Sequence, residues 1–238
     1  MPTGHVTALL EHIAMASRSK PLSSSVVEKF LIAATGLVLV LYLVLHLAGN
    51  LLLFLGPERF NGYAHALVSN PLVVPAEIGL LAIFLVHVYK TVVMWWRNRA
   101  ARPLGYYRTE WAGGPSRKSW ASTTMIYTGA LTAVFVVLHV RSFKYGTYYP
   151  AAGSDVRDLY RLVIEFFQSP VNVIFYEACL VFLGFHLWHG FASAFESLGA
   201  DRPGFAPRLL LASKLVAIVI AGGFLTIPLW VYFFGGAV

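Results

Sequence analysis

Five stretches of the chain are continuously apolar for about the length of a bilayer crossing, and the polar residues gather between them. They run from Phe30 to Leu55, Leu72 to Trp96, Ala121 to Val140, Val171 to Phe195 and Leu209 to Phe234. A hydrocarbon core of about 30 Å is crossed by roughly 20 helical residues. The apolar runs are unbroken rather than alternating, as barrel strands would be, so the pattern predicts an all-α integral membrane bundle of five transmembrane helices. Residues 1–29 read as a polar N-terminal segment carrying His5, Glu11, His12, Arg18 and Lys20, without the pattern of a secretory leader. Residues 30–238 read as one five-helix domain. Between the third and fourth spans, Ser154 to Gln168 sets Val156, Leu159, Val163, Phe166 and Phe167 at helical spacing among charges. That segment predicts an amphipathic helix on the outer surface.

Composition agrees with a bilayer setting: 58% of the 238 residues are hydrophobic and 12% charged, against about half and about a quarter in soluble domains. The single cysteine, Cys179, lies inside the fourth span. An internal disulfide, an iron–sulfur cluster or a four-cysteine zinc site is thereby excluded from this chain. The net charge of +7 could serve nucleic acid, but its distribution argues otherwise. Arg18, Lys20, Lys29, Arg97, Arg99, Arg102, Arg108, Arg117, Lys118, Arg202 and Arg208 fall on the side of the N-terminus. Arg59, Arg141, Lys144, Arg157 and Arg161 fall on the other, offset by Glu58, Asp155, Asp158 and Glu165. The positive-inside rule therefore predicts a cytoplasmic N-terminus, a C-terminus outside, and no role for nucleic acid. Trp95, Trp96, Trp111 and Trp120 flank the basic second loop as headgroup anchors.

Each of the first four spans holds one deep histidine: His46, His87, His139 and His186. An ionisable group within the membrane is costly and marks a functional site by default, although a lone one is more often a core histidine bonded to a neighbouring helix. Four in four successive helices change that balance. His46 lies 17 residues past Lys29 and His139 lies 21 past Lys118, while His87 precedes Arg97 by 10 and His186 precedes Glu196 by 10. At about 1.5 Å per residue, the first two sit roughly 25 to 30 Å from the cytoplasmic edge and the last two about 15 Å from it. Two imidazoles at each of two depths are the ligand set of two six-coordinate haems suited to electron transfer. With no Cys-x-x-Cys-His, the haems would be two non-covalent haem b groups. A weak repeat accompanies the histidines: Thr35-Gly36 and Thr128-Gly129 each precede a histidine by the same 11 residues from Thr to His. Each Thr thus falls on the histidine-bearing face about 16 Å lower, where the second macrocycle would need room. Ordinary small-residue packing in lipid gives the same pattern.

Lys90, Arg97 and Arg141 are candidate haem-propionate partners, since a carboxylate in lipid needs a cation; snorkelling competes, and for Arg97 it is favoured. His189, one turn past His186, is a candidate propionate or quinone contact, with a plain helix-surface histidine as the alternative. Glu77, at the outer end of the second span, and His65, in a short outer loop from Phe60 to Pro71, are candidates for a quinone and proton site. A solvated carboxylate and a solvated histidine compete.

These residues resemble the di-haem cytochrome b anchor subunit of succinate:quinone oxidoreductases and quinol:fumarate reductases. The matching stretches are Leu45-His46-Leu47 with Asn50, Phe60-Asn61 through His65 and Pro71, and Glu77 with His87-Val88-Tyr89. Leu138-His139-Val140, Phe185-His186-Leu187-Trp188-His189-Gly190 and Gly199 complete the set, which spans Ser23 to Phe234. The resemblance implies a flavoprotein partner with covalent FAD, where succinate and fumarate interconvert, and an iron–sulfur subunit on the cytoplasmic side, in a respiratory complex of the cytoplasmic membrane that could form a higher oligomer. It implies that His87 and His186 hold the proximal haem, His46 and His139 the distal one, and that a quinone, usually menaquinone, reacts near the membrane. Some fumarate reductases of this type have a proton-carrying glutamate two residues before the fourth ligand; here that position is Gly184.

Two other readings fit the same frame. A cytochrome b subunit of a nitrate reductase or hydrogenase also has five helices and four histidines, and differs in helix pairing and soluble partner. A transporter or haem-free scaffold would instead line a polar path with these histidines.

Overall fold

The computed structural model describes residues 25–101, 123–151, 156–200 and 204–235. His5, His12, most of the basic second loop with Trp111 and Trp120, and Arg202 lie outside the described residues. Among the described residues seven α-helices follow in order: α1 (Ser25–Asn50), α2 (Pro57–Val68), α3 (Val73–Ala100), α4 (Met125–Phe143), α5 (Leu159–Phe167), α6 (Pro170–Ser197) and α7 (Ala206–Phe234). Five are long and apolar enough to cross a membrane: α1 with its 3-10 extension Leu51–Leu55, then α3, α4, α6 and α7. This is an all-α, multi-pass membrane bundle. We call inner the end bearing Lys29, Arg97, Arg99 and Arg208, and outer the opposite end.

α6 is the hub. It packs on α7 most extensively, then on α1 and α4. Val173, Tyr176, Leu180, Leu183 and Leu187 are buried along it at alternating steps of three and four residues, which keep one stripe turned to the neighbouring helices. α3 leans on α1, meets α4 only slightly, and buries none of its residues. Gly199, at φ 90°, ends α6 in the left-handed conformation that glycine adopts without strain.

The outer connections differ from the sequence expectation in two places. The segment expected as a loop from Phe60 to Pro71 is helical through Val68, because Gly56 at φ 91° stops the first span and Pro57 starts a new helix at its first position. Residues 152–155, where the amphipathic segment was expected to begin, lie outside the described residues, and its helix starts at Leu159. Asp158 caps it by accepting the Arg161 amide at 3.0 Å, and Arg157 is drawn into a bridge with Pro150. Nor does α5 lie free on the outer surface. Tyr160, Leu162, Val163 and Phe167 are buried beneath it against α2, α4, α6 and α7, so it closes the outer end of the bundle. Buried Asn61 fixes that closure: its amide donates to Asp158 Oδ1 at 2.8 Å, and its carbonyl oxygen accepts the Tyr160 amide at 2.8 Å.

Candidate functional site

The four intramembrane histidines fall into two pairs. In the outer pair, His46 of α1 and His139 of α4 face each other with ring centroids 5.7 Å apart and planes at 89°. Two imidazoles sharing one metal have their nitrogens about 4 Å apart, taking the zinc–imidazole bond of about 2 Å as a guide, which sets their ring centroids roughly 6 Å apart, close to the spacing observed. Tyr42, one turn before His46, stacks on it at 5.4 Å, and Phe224 of α7 stands 5.6 Å away. Phe135, Phe143 and Tyr176 surround His139 at 5.3 to 6.1 Å. His139 Nδ1 is buried without a hydrogen-bond partner among the described residues. Asn50 is committed to the His46 carbonyl at 2.8 Å and only grazes the ring nitrogens at 3.4 Å.

The inner pair, His87 of α3 and His186 of α6, lie within electrostatic reach of each other and are held differently. His87 Nδ1 is 3.2 Å from the Ile32 carbonyl and 3.1 Å from the Thr35 hydroxyl. A carbonyl can only accept, so Nδ1 carries the proton and Nε2 keeps its lone pair. The Thr35 hydroxyl proton goes to the Leu31 carbonyl at 2.6 Å, which leaves its oxygen free to accept from the ring. A similar arrangement recurs on the other side: His186 Nδ1 is 3.4 Å from Thr128 Oγ1, whose own proton goes to the Met125 carbonyl at 3.1 Å. A methyl group at Gly36 would stand 3.1 Å from His87 Cε1, and one at Gly129 would stand 3.0 Å from His186 Cε1. Ile32, Thr35, Gly36 and His46 on α1 thus repeat as Met125, Thr128, Gly129 and His139 on α4, each 93 residues later. The Thr-Gly pairs, expected where a second macrocycle would need room, each lie against the histidine of the following span.

The flanking candidates divide. Arg97 is ion-paired with Glu28 at 2.6 Å, tying the inner end of α3 to that of α1; the Glu28 side chain is 4% exposed and that of Arg97 55%. Arg97 therefore has a protein carboxylate as partner, which neither sequence reading anticipated. Lys90 is partly buried beside the Tyr89 ring, and Arg141 is exposed at the outer end of α4. His189 is half-buried, within electrostatic reach of His186 and Glu196. Glu77 is ion-paired with Lys144, which joins the outer ends of α3 and α4. Glu77 and Tyr63 both act electrostatically on Tyr42, the ring stacked on His46. His65 sits in exposed α2, 3.4 Å from Ser69 Oγ and away from the histidine pairs.

Comparison with known protein families, with curated proteins and with solved structures finds no match to this chain.

Three groups escaped the sequence reading. Glu28 was hidden at the helix boundary, where a carboxylate looks solvated. Glu177, inside α6, keeps one carboxylate oxygen buried without a hydrogen-bond partner among the described residues; its position within an apolar run was a signal open to use. Lys214 of α7 lies 5.5 Å from the centre of the Trp188 ring, one residue before His189.

The donor set fits haem iron. His87 presents an unprotonated Nε2, the outer two histidines face each other at ligand spacing, and the aromatic residues around His139 offer an apolar wall to a macrocycle.

Proposed function

We propose that the chain is the electron-transferring membrane anchor of a succinate dehydrogenase or fumarate reductase, passing electrons between an iron–sulfur partner at its inner end and a quinone. The observation that carries this reading is the pairing of four intramembrane histidines from four helices, His46 facing His139 and His87 within electrostatic reach of His186. His87 and His186 would hold one haem b, and His46 and His139 a second. Bound between such pairs, six-coordinate haem iron supplies one-electron redox chemistry without an open oxygen site.

The chain's own residues orient and insulate. The Ile32 carbonyl fixes the proton on Nδ1 of His87, and the Thr128 hydroxyl, its own proton given to Met125, faces Nδ1 of His186 as an acceptor. Phe135, Phe143, Tyr176 and Phe224 exclude water around the outer ones. Lys90, His189 and Arg141 are the remaining candidates for propionate carboxylates, Arg97 being engaged by Glu28. At the outer end, Glu77 is placed to exchange a proton with a quinone near Tyr42 and His46, with Lys144 as its counter-ion. The dicarboxylate site, covalent FAD and iron–sulfur clusters belong to partner subunits, and menaquinone is the quinone expected.

The test is reduced-minus-oxidised absorption of membranes containing the chain, with haem counted per polypeptide and copurifying subunits identified. Two b haems per chain, with flavoprotein and iron–sulfur partners, is the expected result. Loss of the band in a His46→Ala, His87→Ala double variant should follow. Absence of a b-type band, or its survival in that variant, eliminates the reading. A molybdenum- or nickel-containing partner instead assigns the chain to a nitrate reductase or hydrogenase.

A further inference from the structure

The two histidine pairs have the same ligand chemistry but different support. Among the inner histidines, His87 Nδ1 lies 3.2 Å from a backbone carbonyl and 3.1 Å from the Thr35 hydroxyl, and His186 Nδ1 lies 3.4 Å from the Thr128 hydroxyl, each threonine presented by the preceding span with a glycine beside it letting the ring approach. In the outer pair His139 Nδ1 has no partner among the described residues, and His46 is flanked by stacked Tyr42 and by Asn50 at the limit of contact. An acceptor on the distal nitrogen draws the N–H proton outward and makes the imidazole a stronger donor to its metal, and it also fixes the rotation of the ring. A stronger donor stabilises the oxidised iron over the reduced.

From this asymmetry we propose that Thr35 and Thr128 are positioning residues for one haem only: accepting from His87 and His186, they lower its reduction potential and set its ring orientation, leaving the haem of His46 and His139 untouched. The proposal rests on the haem reading above. It makes the internal repeat a device for building two unequal redox centres from four equal ligands. Each Thr-Gly pair serves not the histidine on its own helix but the one on the next span, so the repeat orients the inner level alone.

The experiment uses the complex solubilised from its membrane, titrated redox-potentiometrically in visible absorption and by low-temperature EPR of the low-spin ferric signals. In a Thr35→Val, Thr128→Val variant one of the two b centres should shift to higher potential, by about a tenfold change in its reduced-to-oxidised ratio at fixed potential, or about 59 mV for one electron. The second centre should not move. Thr35→Ser with Thr128→Ser should restore the wild-type value, since a serine hydroxyl accepts equally. If the double valine variant does not assemble, Thr35→Val alone should move the same centre less far. Gly36→Ala, which sets a methyl 3.1 Å from His87 Cε1, should alter one EPR signal and leave the other. Unchanged potentials in the valine variants, or equal shifts in both centres, overturn the proposal while leaving the haem reading intact. Wild-type complex without b haem overturns both.

Discussion

α3 and α6 each bring a histidine to the inner level, and they reach that position by opposite means. α6 is anchored by side-chain packing along most of its length, with Leu180, Leu183 and Leu187 buried against α1, α4 and α7. α3 buries nothing and is held at points: Glu28–Arg97 at the inner end, the Ile32 and Thr35 contact to His87 in the middle, and Glu77–Lys144 at the outer end. In lipid this contrast is physical rather than cosmetic, because apolar helix faces gain nothing from leaving a medium as apolar as themselves. Interdigitated side chains and polar contacts are what remain to fix a helix. One histidine-bearing helix is therefore placed by its neighbours' shape, the other by a few polar ties.

Truncation should expose the difference most strongly. Leu183→Ala removes contacts from a side chain that is 6% exposed, and should cost about 2–3 kcal/mol, the lower part of the usual range because no transfer from water is involved. Leu85→Ala on α3, at a residue 56% exposed to lipid, should stay within about 0.5 kcal/mol. SDS-induced unfolding of the purified protein in bicelles reads both. Equal losses would mean that α3 has packing partners of its own in the membrane, and the contrast would fall.

Polar ties give the next effect. Removing Arg97 leaves the Glu28 carboxylate buried without its cation, whereas removing both charges does not. Because Arg97 is half exposed, Arg97→Ala should cost about 1–3 kcal/mol rather than the larger loss of a fully buried pair. Glu28→Gln in the same background should recover most of it. The recovery, measured as a double-mutant cycle, separates a tie that positions α3 from an arginine that merely reaches for headgroups.

The same contrast explains what the sequence allowed to be read. Span count, the four histidines and their two depths follow from apolar length and the helical rise, which act along one helix at a time. The closing helix α5 was visible as an amphipathic pattern, but its burial was not, because an apolar face reads the same whether it meets lipid or Tyr176. The helix Pro57–Val68 was missed because its apolar periodicity is weak; Gly56 and Pro57 were the signals that marked its start. The partners of Arg97, Glu77 and Thr35 were out of reach for a simpler reason: each contact spans 50 residues or more, from Thr35 to His87 at the nearest. Even the Thr-Gly repeat reads from sequence only as room for a second macrocycle and not as a contact to a ring, since periodicity along one helix says nothing of the side chain presented by another.

The smallest effect concerns how the outer cap over α6 responds to acid. Tyr149 donates to Glu165 at 2.5 Å and Arg161 donates to its other oxygen at 2.7 Å, with the guanidinium 4.3 Å from the Tyr149 ring centre. The Tyr149 hydrogen bond, and then Arg161, hold the Glu165 carboxyl below its ordinary range. A carboxyl depressed in the folded state contributes stability that is present above its unfolded value and lost as pH falls through its folded value. Arg161 and Glu165 are exposed, so solvent screening keeps the contribution of the cluster slight. Loosening should appear between about pH 4.3, the ordinary glutamate value, and the lower folded one. It should be confined to the α5 approach, read as faster amide exchange at Tyr149 and Arg161, with Leu183 and its neighbours on α6 unchanged. Glu165→Gln should remove the acid response at those amides. Exchange that quickens in α6 over the same interval would show that the packed hub depends on its cap, and that the two ways of placing a helix are not independent.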